Sequence, residues 1–152
     1  MRLWCKDPAQ ATAEYGHIAE WDTSEVTSLE GLFENKSSFN DDISRWDVSR
    51  VTNMRETFCG ATSFNQDLSG WDVSRVTNMS DMFNMSSISR HISSFNQDLS
   101  GWNVSSVVNM TSMFRDAKSF NQNLSEWDVS SVTNMSSIFR NATSFNQDLS
   151  GW

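Results

Sequence analysis

The sequence predicts an α/β solenoid: one domain in which about five 25-residue coils stack right-handedly, with a parallel sheet on one face and short helices on the other. Three observations carry that expectation. Tryptophan returns as Trp21, Trp46, Trp71, Trp102, Trp127 and Trp152, at intervals of 25, 25, 31, 25 and 25. A fixed period of this size marks supersecondary units that bury their apolar residues only by stacking. Within a copy, Trp71 and Val73 alternate with Gly70, Asp72 and Ser74, the period-two pattern of a short strand. Val76, Met79, Met82 and Phe83 then follow at spacings of three, three and one, which fits one face of a turn entering a short helix.

Taken in chain order, residues 1–20 read as an N-terminal cap and 21–152 as the repeat array. Residues 3–18 are expected to be helical, with Leu3, Trp4, Tyr15 and Ile18 covering the first coil, because a bare terminal coil exposes core and edge alike. In the repeats, Ser80, Thr111 and Ser136 stand where the helix would begin and can cap it. Phe95 and Leu99 carry the chain back to the next strand. The one long interval holds six extra residues, an insertion near 85–92. At the far end, the last coil is expected to lie against another chain or further repeats.

Seven Trp and ten Phe supply the core from few positions, each ring burying on the order of 150–250 Å². Nineteen acidic against eleven basic residues give a net charge of −8, which repels phosphate backbones and anionic lipid. Nucleic acid is therefore excluded as a partner. No run approaches the roughly 18 apolar residues of a transmembrane helix, and the first eight residues show no apolar segment of a signal peptide. Cys5 and Cys59 belong to no metal-type pair and read as buried free thiols.

The run Trp-Asp-Val-Ser-x-Val-Thr-Asn-Met-x-x-Met-Phe, followed by Ser-Phe-Asn-Gln-Asp-Leu-Ser, resembles the BspA-like leucine-rich-repeat surface proteins, whose repeat is also found in mycoplasma lipoproteins and algal proteins. The resemblance covers residues 17–152. Ala9–Ile18, with Tyr15-Gly16-His17-Ile18, resembles the N-terminal cap of the algal members. It implies a leucine-rich-repeat-like fold, a cell-surface or extracellular location, and recognition or adhesion as the role.

Stacking turns each repeat position into a row. The residue after each Trp gives Asp22, Asp47, Asp72, Asn103 and Asp128. Stacked carboxylates on an outward face should repel one another and raise some of their pKa values, unless hydrogen bonds or a cation such as calcium relieve them. Asn40, Asn65, Asn96, Asn121 and Asn146 read as an asparagine ladder. Asn53, Asn78, Asn109 and Asn134 read as residues of a tight turn. Of eight Asn-x-Ser/Thr sequons, Asn35 and Asn84 look the most accessible.

Catalysis finds no foothold. His17 and His91 are the only histidines, and carboxylate pairs such as Asp67 and Asp72 recur copy after copy, as structure would. There is no Gly-rich phosphate loop or metal-ligand spacing, so no cofactor is expected. The expected function is a non-catalytic recognition or adhesion module for a protein or surface ligand. The alternatives are a structural subunit within a larger assembly and, more distantly, an ice-binding surface. Function should sit where the copies differ: in Ser86, Ser87, Ile88, Ser89, Arg90 and His91 of the insertion, at Arg45, Gly70, Gly101 and Glu126 before each Trp, or on the face around Asp47 and Asp72.

Overall fold

The computed structural model describes residues 2–86 and 93–152. The chain opens with helices α1 (Arg2–Lys6) and α2 (Pro8–Tyr15). Asp7 starts α2: its Oδ1 accepts the Gln10 N–H at 2.9 Å, and Pro8 follows with the fixed φ that suits a first helical turn. A single 3₁₀ turn, Ile18–Glu20, then delivers Trp21 to the repeats.

From residue 21 to 152 the described residues form a stack of turn-built coils in parallel register. The stack is held by aromatic columns and by hydrogen bonds that repeat with the sequence period. Phe33 and Phe39 stack within the first copy at 3.9 Å, as do Phe58 with Phe64 at 4.0 Å and Phe114 with Phe120 at 4.1 Å. Each ring of these pairs also stacks on its equivalent one coil away, Phe33 on Phe58 at 5.4 Å and Phe39 on Phe64 at 5.7 Å. Beside them runs the tryptophan row. Each buried indole N–H donates to a carbonyl of the preceding coil: Trp71 to Ile43 at 3.1 Å, Trp102 to Leu68 at 2.9 Å, and Trp127 to Leu99 at 3.0 Å. A ring this large brings its N–H into the core, and the bond removes the penalty of an orphan donor.

The α/β solenoid with a parallel sheet is not what forms. Among the described residues there is no β-strand, no sheet, and no helix beyond α1, α2 and the 3₁₀ turn. A leucine-rich-repeat solenoid is therefore not supported. What remains of the expected sheet is one parallel bridge per interface, Ser28 with Asn53, Asn53 with Asn78, Asn78 with Asn109, and Asn109 with Asn134.

The physical reason lies in the turns. In Trp71-Asp72-Val73-Ser74 the Asp72 carboxylate accepts the Ser74 N–H at 3.0 Å, and the Val76 N–H then closes on the Val73 carbonyl at 2.9 Å. These bonds bend the segment that alternation alone reads as extended. The expected helix fails for a different reason. Glu56, Asp81, Ser112 and Ser137 all take positive φ, between 54 and 60°, so each interrupts the right-handed path. The N–H groups of Met54, Glu56, Phe58 and Gly60 point along the stack to Asn78, Ser80, Met82 and Asn84 of the next coil. A run of overlapping turns replaces the helix. Ser80, Thr111 and Ser136 accordingly cap nothing; their own N–H groups donate to Asn78, Asn109 and Asn134.

Trp71, Trp102 and Trp127 are each 3% exposed. Trp102→Ala should cost about 3–5 kcal/mol through the cavity it leaves. Trp102→Phe should keep most of the packing and lose about 1–3 kcal/mol by orphaning the Leu68 carbonyl. Urea denaturation checks both, and a Phe variant as damaged as the Ala variant would remove the hydrogen bond from this account.

Candidate interaction surfaces

Each coil from the second on uses the same side-chain device three times. Asp or Asn after the Trp accepts the N–H two residues on, as Asp22, Asp47, Asp72, Asn103 and Asp128 do from Ser24, Ser49, Ser74, Ser105 and Ser130. Asn53, Asn78, Asn109 and Asn134 do the same later in the copy. Asp42, Asp67, Asp98, Asn123 and Asp148 repeat it before the next Trp. The short polar side chain mimics a backbone turn, which is why Asp-x-Ser and Asn-x-Ser recur.

These bonds decide the electrostatics of the aspartate row. Asp22, Asp47, Asp72 and Asp128 are fully or almost fully solvated, and hydrogen bonds from the serine two residues on hold each carboxyl below its usual value of 3.8. Repulsion between neighbours acts on Asp47 and Asp72 as a smaller opposing effect. The expected upward shift is thus reversed, because donors a bond length away outweigh like charges one coil off in water. Among the described residues, no three His, Cys, Asp or Glu side chains gather closely enough to hold a metal ion.

The asparagine row is a ladder, made through side-chain oxygens rather than loop carbonyls. Asn40, Asn65, Asn96 and Asn121 each accept the backbone N–H of the next Asn in the row at 2.9 Å. Other expectations need revision. Tyr15 is 63% exposed and covers nothing, whereas Trp4 and Ile18 are buried and Leu3 packs against the core. Cys5 and Cys59 are half-buried rather than buried, and burial with nearby Asp81, Glu34 and Glu56 pushes the Cys59 thiol up to about 11. Asn84 is buried and donates to Asp81, so of the two favoured sequons only Asn35 is exposed.

Of the insertion, Ser86 is exposed and donates its N–H to Asn84 at 2.8 Å. Ser87, Ile88, Ser89, Arg90 and His91 lie outside the described residues. The face around Asp47 and Asp72 is solvent-facing, and so is the row before each Trp: Arg45, Gly70, Gly101 and Glu126. Gly70 and Gly101 are informative. A Cβ built on either would meet nothing within 4 Å, and neither takes a positive φ. Arg45 and Glu126 occupy the same position in other coils, so the backbone does not require glycine there. From sequence, glycine in a turn reads as a conformational need, and only coordinates separate that from bare surface.

The cap covers the first coil less completely than the sequence suggests. The cap leaves a groove of about 210 Å³ over the first coil, lined mainly by Trp21, Val26, Leu29, Leu32 and Trp46. The signal was the scarcity of apolar residues in 3–18, too few to cover a whole coil.

The family model described as "Mycoplasma protein of unknown function, DUF285" matches residues 7–88 and 84–152. No curated protein and no solved structure matches the chain.

The lowered aspartates make stability depend on acid. A carboxyl whose folded pKa lies below its unfolded value stabilises above the unfolded value, near 3.8, and loses that contribution as pH falls through the folded one. The urea midpoint should therefore be level near neutrality and drop below about pH 4. Asp72→Asn should hold the turn at pH 7, as Asn103 does, and flatten part of the drop; Asp72→Ala should lower the midpoint at every pH. An Asn variant as unstable as the Ala variant at pH 7 would contradict the turn-forming role.

Proposed function

We propose that this chain, which belongs to the DUF285 family of Mycoplasma proteins of unknown function, is a non-catalytic recognition module whose side face binds a protein. The observation that carries the reading is the contrast between neighbouring rows. The aspartates and asparagines that repeat are engaged in turns and ladders. Within the row before each Trp, Arg45, Gly70, Gly101 and Glu126 change chemistry on a constant backbone. Its centre is bare at two glycines the fold does not demand.

Bare backbone flanked by Asp72 and Asn103 lets a partner approach closely and meet carbonyls and carboxylates together. Arg45 and Glu126 flank the two glycines on either side in the same row, so they fix the direction in which a partner lies. A rigid scaffold with variable surface positions suits recognition, since ordering costs have been met by folding. The BspA-like character of the repeat supports a surface-exposed setting for this role.

The test uses the open space at the glycines. Gly70→Arg combined with Gly101→Arg should leave the melting temperature within about 2 °C, as is usual for exposed positions away from packing. A partner is to be isolated on the immobilised chain from a surface-protein extract of the source organism, and its affinity measured against both forms. A loss of tenfold or more is expected. Unchanged affinity would move the interface off this face, and chemical turnover of the partner would end the non-catalytic reading.

A further inference from the structure

Where the cap hands the chain to the repeats, the backbone builds a cleft with aromatic and acidic walls. Helix α2 ends at Tyr15, and Gly16 turns the chain aside with φ 74°. The 3₁₀ turn Ile18–Glu20 brings it back, begun by His17, whose Nδ1 accepts the Ala19 N–H at 3.3 Å. The Trp21 indole N–H closes the loop by donating to the Gly16 carbonyl at 3.2 Å. Tyr15, Glu20, Trp21 and Asp22 then line a cleft of about 460 Å³.

The core does not absorb the two rings. Tyr15 is 63% exposed, and Trp21 is half-buried, whereas Trp46, Trp71, Trp102 and Trp127 are at most 5% exposed. Trp4 meets Trp21 edge-on at 5.8 Å and steadies it from the cap side. Among the described residues no ring contact joins Tyr15 to Trp21, so the space between them is open.

The charges in the cleft are all of one sign. Glu20 is exposed, and its carboxylate has no partner among the described residues. Asp22 uses Oδ1 for the Ser24 N–H and hydroxyl, which holds its carboxyl below the usual value and ionised at neutral pH, and Oδ2 carries no bond. Glu14 accepts the Tyr15 hydroxyl and adds a third carboxylate beside that ring. No Lys or Arg lines the cleft; Arg45 lines a neighbouring hollow with Ala19, Glu20 and Trp21.

Ring faces are electron-rich, and the carboxylates add full negative charges, so the cleft suits a cation with apolar faces. A guanidinium answers both walls. It is flat and weakly hydrated, it stacks on rings, and its fork of donors matches carboxylates. A lysine ammonium is a compact and strongly hydrated point charge, and a quaternary ammonium has no donor to offer.

We propose that Tyr15, Glu20, Trp21 and Asp22 form a binding site for the guanidinium of an arginine side chain presented by a partner protein. The rings stack on its plane and the two carboxylates accept its N–H groups. The site lies at the cap, apart from the Gly70–Gly101 face, and neither reading rests on the other.

NMR titration of the whole chain with the capped peptide acetyl-Gly-Arg-Gly-amide tests this, read at the assigned Trp21 indole N–H. That signal should shift saturably, with a Kd in the millimolar range, and the lysine counterpart should bind roughly fivefold more weakly. Tyr15→Leu should weaken the arginine peptide about fivefold or more, and so should Glu20→Gln combined with Asp22→Asn. Tyr15→Phe should bind like the wild type, because the ring and not the hydroxyl is used. Tyr15 and Glu20 are exposed, and Asn at 22 keeps the turn as Asn103 does with Ser105, so melting temperatures should stay within about 2 °C. A Trp21 signal that the arginine peptide leaves unmoved overturns the proposal. So does an affinity that the Tyr15→Leu and double variants leave unchanged. Tetramethylammonium chloride or the lysine peptide binding as tightly as the arginine peptide would overturn the guanidinium assignment.

Discussion

A buried indole must find an acceptor for its N–H, and along the tryptophan row that acceptor is a carbonyl to its N-terminal side, one coil back for most of the row. Trp71 reaches Ile43, Trp102 reaches Leu68, Trp127 reaches Leu99 and Trp152 reaches Leu124. A coil that slipped by one residue would break this bond, unstack two phenylalanine columns and offset every backbone donor from its acceptor. The constraint survives the six-residue insertion: Trp102 and Leu68 are 34 apart rather than 28, yet the bond is the same. The register is kept on both sides of it. Stability in such an array is approximately a sum of coil and neighbour terms, and the indole bond contributes to each neighbour term.

The period, the cap and the aromatic core were legible in the sequence because they depend on which residues must be buried. Trp71, Phe64 and Val76 could hardly be elsewhere. The secondary structure was not legible, and the failure has a definite cause. Alternation at Trp71-Asp72-Val73-Ser74 satisfies the strand template, but Asp two residues before Ser is equally a turn signal, and the turn wins because it is local while the strand needs a partner edge over several residues. Likewise Val76, Met79 and Met82 have helical spacing, yet Asp81 between them adopts φ 57°. Asp tolerates that conformation, and Glu56 and Ser112 adopt it where nothing in their identity announces it.

The candidate site was half legible for a related reason. Variation before each Trp can be seen in the sequence, and the structure places Arg45, Gly70, Gly101 and Glu126 in solvent. The open space above the two glycines cannot be seen there, since it depends on what the neighbouring coils leave uncovered. In the aspartate row the sequence left repulsion and hydrogen bonding both open, and the structure settles the balance for hydrogen bonding. A serine N–H and hydroxyl beside each carboxylate matter more than another carboxylate one coil away across water.

Charge is spread unevenly, and the turn chemistry explains how the fold tolerates it. The first coils tie their charges together, Glu25 with Arg50 and Arg55 with both Glu30 and Glu56, on exposed or half-exposed side chains where such pairs add little to stability. Later coils carry Ser or Thr at most of those positions, and amides elsewhere in the coil bridge them: Gln122 donates to Asn96, Gln147 to Asn121, and Asn141 to Asp116. Both solutions sit on the same backbone with the same aromatic columns beneath. The coils therefore do not depend on surface charge for their stacking, and the charges of the first coils are free to vary with what the surface meets. That separation of a neutral, repeating interior from a changeable exterior lets one 25-residue unit keep its packing while its surface changes.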